Sequence, residues 1–223
     1  MIGWMVLAAA AQAAAEPAKM EAVPSAPVAS VTKNVVKHPG DKVAVRVPAT
    51  ANYAGHERFN LYGVADAEIH VFVEADAAKK VQRLYWIQFE SYLPSNDHRY
   101  NYADGNTRYD LWGTPTWVTA NPRRTDMPGR PGGDRESVMR ILARGGYTVP
   151  PEVQNVRLVQ ILDDPEGTGR GRKELMLIYS EDLAPTGKTY SELVANDELT
   201  PAFKPLEKPL IDRAIAAFSI ERK

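Results

Sequence analysis

The stretch 67–93, AEIHVFVEADAAKKVQRLYWIQFESYL, decides the fold. Its first arm sets Ile69, Val71 and Val73 against Glu68, His70, Phe72 and Glu74, an alternation that reads as a strand. After the turn DAAKK (76–80), the second arm sets Tyr85, Ile87 and Phe89 against Trp86, Gln88, Glu90 and Tyr92. Paired as an antiparallel hairpin of even parity, the arms share one greasy face, whereas a one-residue slip buries Glu74 and Glu90. The even register gathers His70, Phe72, Trp86, Gln88, Glu90 and Tyr92 on a single face, and these are the candidate ligand-binding residues. Rings supply apolar contact at little entropy cost, and adjacent amide, carboxyl and imidazole tips fix a ligand's orientation. The same face also suits a covered scaffold or a protein interface.

Other strands are expected over 41–47 (DKVAVRV) and 59–64 (FNLYGV). RYNYA (99–103) and TRYDLW (107–112) should pair around Asp104-Gly105, and TPTWVTA (114–120) should add a short edge strand. The Pro- and Gly-punctuated stretch 121–134 reads as an irregular loop whose Arg123, Arg124 and Arg130 suit anionic envelope groups. Asp134 should cap a helix in which Val138, Ile141 and Leu142 face inward. VRLVQIL (156–162) and KELMLIYS (173–180) are apolar on both faces, which predicts a central hairpin covered on each side. A short helix is expected over 189–196. Leu210, Ile211, Ala214, Ile215 and Phe218 recur at helical spacing in a C-terminal amphipathic helix. The expected fold is α+β: an antiparallel, curved sheet of about six to eight strands with two or three helices largely on one face.

Residues 1–15 read as a signal peptide: Ile2 to Ala15 carry no charge, and Ala13 and Ala15 satisfy the small-residue cleavage preference before Glu16, although no basic residue precedes the apolar run. Residues 16–40, rich in Ala, Pro, Ser and Val and free of aromatic residues, read as a disordered linker, which leaves 41–223 as a single α+β domain. The protein is therefore expected to be exported, periplasmic or secreted, with no integral membrane span once the signal is removed. There is no cysteine to carry a lipid or close a disulfide, so stability must come from burial. A net charge of −1 argues against a nucleic-acid partner.

Catalytic motifs are missing. His56-Glu57 opens like a zinc helix, but Asn60 stands where the second histidine belongs, and GTGRGR (167–172) lies between strands instead of opening a helix. GKT (187–189) lacks a P-loop's first glycine, since Asp182 stands there, and Ser30 and Lys33 match an acylase spacing only within the linker. His56, Glu57, His70, Glu90, Asp97 and His98 are metal-ligating types that spacing alone does not bring together. Asp163, Asp164 and Glu166 lack the alternation of a calcium loop, and Glu74 with Glu90 is the carboxylate pair to weigh for glycosidic hydrolysis. No metal, cofactor or catalytic residue is assigned. The expectation is a non-enzymatic binding or accessory protein for a small molecule or an envelope protein. Its rivals are an envelope hydrolase using carboxylates or a metal, and a structural envelope component.

Overall fold

The computed structural model describes residues 23–127 and 129–222, so the expected signal peptide and the start of the linker lie outside the described residues. In chain order the strands are β1 (Ser30–Thr32), β2 (Val35–His38), β3 (Val43–Arg46), β4 (Asn52–Leu61), β5 (Ala65–Ala75), β6 (Val81–Tyr92), β7 (Tyr100–Asn101), β8 (Thr107–Leu111) and β9 (Thr114–Arg124). Helix α1 (Asp134–Arg144) follows, then β10 (Glu152–Ile161), β11 (Arg170–Gly171), β12 (Lys173–Asp182), α2 (Tyr190–Leu193), β13 (Val194–Ala195), β14 (Glu198–Leu199), α3 (Lys204–Ala217) and β15 (Ser219–Arg222).

The main sheet has seven antiparallel strands in the order β4-β5-β6-β12-β10-β9-β8, with the doubly apolar β10 and β12 inside it as their composition requires. On one face Phe72, Tyr85, Ile87, Leu175 and Leu177 pack against α2, α3 and a four-stranded sheet, β1-β2-β3-β15. On the other, Ile69, Val71, Trp86, Met176 and Ile178 meet Val138, Ile141 and Leu142 of α1. The fold is α+β with an antiparallel sheet and a C-terminal helix, as the pattern predicts, and α1 lies across the sheet from the other two helices.

Three local expectations are corrected. The linker is ordered from Ser30 to His38, where β1 and β2 bury Val36 because β3, and β15 beyond it, supply the partners that this stretch lacks by itself. RYNYA does not pair with TRYDLW: β7 pairs with β11, and β8 turns into β9 at Trp112-Gly113, both at positive φ as a tight two-residue reversal requires. β9 runs on to Arg124 and lies inside the sheet rather than at its edge.

The decisive correction concerns the β5–β6 hairpin. Val71 stands opposite Trp86 and Ile69 opposite Gln88, while His70 faces Ile87 and Phe72 faces Tyr85. The pairing starts with the expected parity, Ala75 against Val81, then slips by one residue at a bulge before Glu74 meets Arg83. The slip falls where Thr148 pairs with this end of the hairpin. Lys80 bridges Thr148 in parallel, and the Val81 amide donates to the Thr148 carbonyl at 2.9 Å, away from β5. Because the β5–β6 hairpin is buried on both faces, greasiness does not choose between the two registers. The six candidate residues are therefore split, with His70 and Phe72 on the α3 side and Trp86, Gln88, Glu90 and Tyr92 on the α1 side. Glu74 and Glu90 likewise lie on opposite faces and cannot flank one bond.

The turn is held by Asp76, whose Oδ1 accepts from the Ala78 and Lys80 amides, each at 2.9 Å. Asp76→Ala should destabilise the protein by about 1 kcal/mol, measured by urea denaturation.

Candidate ligand cleft

Helix α1 lies over β4 and β5, anchored where Arg140 and Arg144 clasp Glu57 at 2.8 and 2.6 Å. Its N-cap is Gly133 rather than the expected Asp134, and a side chain there would collide with the Tyr62 hydroxyl. Beyond the helix the sheet stays uncovered, leaving a cleft of about 420 Å³. That volume suits a small organic ligand. Trp86, Met176 and Ile178 make its floor, Val138 and Leu142 one wall, and Asn121, Arg123, Arg135, Asn155 and Ser180 its polar margin. A more open depression of about 530 Å³ is lined by charges that already pair with one another, Arg83 with Glu74 and Arg213 with Glu181.

Arg157 reaches into the first cleft from β10. Its guanidinium lies 5.5 Å from the centre of the Tyr102 ring and makes no hydrogen bond or ion pair among the described residues. Asp134 also lines the cleft; burial raises its carboxyl above the usual range, and the charge of Arg157 opposes that rise.

Next to the cleft runs a polar chain. Trp86 Nε1–H donates to Gln88 Oε1 at 2.9 Å, Gln88 Nε2–H to Glu90 Oε2 at 2.6 Å, and the Tyr100 hydroxyl to Glu90 Oε1 at 2.6 Å. Tyr92 stacks on Tyr100 at 4.4 Å. Opposite Glu90 on the neighbouring strand β12 sits Glu174, 2% exposed, with its Oε2 unpartnered among the described residues. Burial and then the charge of Glu90 push Glu174 up to about 8, and burial raises Glu90 as well. At neutral pH the pair holds a proton.

Of the six sequence candidates, Trp86 lines the cleft, Gln88 and Glu90 form the chain behind it, and Tyr92 stacks at its far end. Phe72 is core on the other face. His70 is buried there too, with Nε2 against Glu68 at 2.9 Å. The residues missed were Arg157 and Glu174. Their signal was a charge within a run otherwise apolar, Arg157 in VRLVQIL and Glu174 beside Lys173 in KELMLIYS, since a buried charge is costly unless it serves a partner or a ligand.

Of the metal-ligating types, Glu57 serves α1, Glu90 the polar chain, and His98 lies beside Tyr92, while His56 and His70 stand opposite each other at the β4 edge. Among the described residues no three His, Cys, Asp or Glu side chains converge as a metal set. Asp163 and Asp164 accept backbone amides of their own loop. No described helix is long and apolar enough to cross a membrane. No family model, curated protein or solved structure matches the chain.

Proposed function

We propose that the protein is an exported, non-enzymatic binding protein whose ligand is a small amphipathic molecule, apolar in its body and anionic at one end. The reading rests on one observation: an apolar cleft of ligand size contains a guanidinium, that of Arg157, with no hydrogen-bond partner among the described residues. An arginine in such a place gains most from a carboxylate, sulfonate or phosphate, which its fork meets with paired hydrogen bonds. Arg123 and Arg135 at the margin favour the same charge. Export is argued from the uncharged, alanine-rich leader. The hydrolase reading is weaker here because Glu174, the carboxylate that faces Glu90 in the β6–β12 ladder, is too deeply buried for a scissile bond to reach.

The test uses anilinonaphthalene sulfonate, which has an apolar body and one anionic group. It should bind with a saturable one-to-one rise in fluorescence. Arg157→Gln should weaken it about 10-fold, and Thr119→Trp, which puts a large ring into the cleft that Thr119 lines, should abolish it. Absence of saturable binding, or equal binding by both variants, overturns the proposal.

A further inference from the structure

On the opposite face, at the β4 edge, the structure brings together a second set of groups. His56 and His70 stand directly opposite each other in the β4–β5 ladder, their ring centres 5.8 Å apart. A bulge between Tyr53 and Gly55 inserts Ala54, which puts Tyr53 and His56 on the same side although they are three residues apart. The Tyr53 hydroxyl oxygen lies 3.1 Å from His70 Nδ1 and 3.2 Å from His56 Nδ1. Two imidazole nitrogens thus converge on one phenol oxygen.

We propose that Tyr53, His56 and His70 form a binding site for a divalent copper ion, with Glu68 as the residue that positions His70. Glu68 already accepts the Val28 and Ala29 amides at 2.6 and 2.8 Å, and it takes the Nε2–H of His70 at 2.9 Å. A carboxylate on Nε2 fixes the tautomer and leaves the Nδ1 lone pair aimed at the cluster, the arrangement that orients metal-ligating histidines. Two donors each about 2.0 Å from a metal, at angles between square and tetrahedral, lie roughly 2.8–3.3 Å apart. Both observed separations from the phenol oxygen fall in that range. Tyr53 and His56 are exposed, so solvent can complete the coordination.

On binding, the copper ion replaces the phenol proton, which passes to solvent, and neutral His56 keeps its proton on Nε2 to free Nδ1. Imidazole and phenolate donors, together with the need to displace that proton, select copper(II) over the weaker divalent ions. This site is independent of the cleft and of its ligand.

The experiment adds copper(II) chloride to the full chain, freed of any histidine tag, and reads phenolate-to-copper charge-transfer absorption together with affinity by chelator competition. One equivalent should bind and the absorption should appear. Tyr53→Phe should remove the absorption. His56→Ala should weaken binding about 10-fold or more, while the exposed His98→Ala leaves it unchanged. Both altered side chains are at the surface, and circular dichroism checks that each variant is folded. Absence of the absorption in the wild type, or an affinity unchanged in His56→Ala, overturns the site.

Discussion

Glu174→Gln should make the protein more stable than wild type at pH 8 and flatten the fall of stability with pH. The folded-state pKa of Glu174 is raised from 4.5 to about 8 by burial and by the charge of Glu90. Between those values the folded chain holds a proton that the unfolded chain releases, so stability is full below about pH 4.5 and is lost as pH rises towards 8. Each pH unit across that window removes about 1.4 kcal/mol, which sums to roughly 3–5 kcal/mol by pH 8. Glutamine keeps the shape, stays neutral throughout, and lets Glu90 ionise without a like charge opposite. Urea denaturation at pH 5, 6.5 and 8 checks this: the two proteins should be close in stability at the acid end and diverge at the alkaline end. Parallel curves would show that the pair holds no proton.

Phe72→Ala should cost about 3–5 kcal/mol and lower Tm by roughly 10 °C. Phe72 has no exposed surface and fills the space between Tyr53 and the α3-side core, so the truncation leaves a cavity. Probe binding in the cleft should be unaffected, because the residue points away from it. Trp86→Ala should lose stability and probe binding together, since Trp86 is cleft floor as well as core. Calorimetry and the fluorescence titration separate the two variants. A binding defect in Phe72→Ala without loss of stability would contradict the division of the hairpin between two faces.

One part of the candidate site was written in β6 itself: Trp86 of the cleft and the polar chain that follows it. Trp86, Gln88, Glu90 and Tyr92 alternate along one strand, and no register can separate them. Adding His70 and Phe72 required the parity of the neighbouring strand, which rests on how one amide, that of Val81, is spent. Thr148, far along the chain, takes it. The same dependence on distant partners explains the strands found at 30–38: a stretch too poor in bulk to order itself becomes sheet once β3 and β15 offer their edges.

By itself the sequence determined the α+β class, the inner position of β10 and β12, the inward face of α1 and the C-terminal helix. Each follows from short-range periodicity, which fixes what a segment must bury. Only the tertiary structure decided which faces meet, that Arg157 lines the cleft and Glu174 stands opposite Glu90, and that Tyr53, His56 and His70 converge. Those outcomes depend on one-residue bulges and on hydrogen bonds between distant segments, and a shift of one residue turns a side chain to the other side of a sheet without changing the pattern that encodes it.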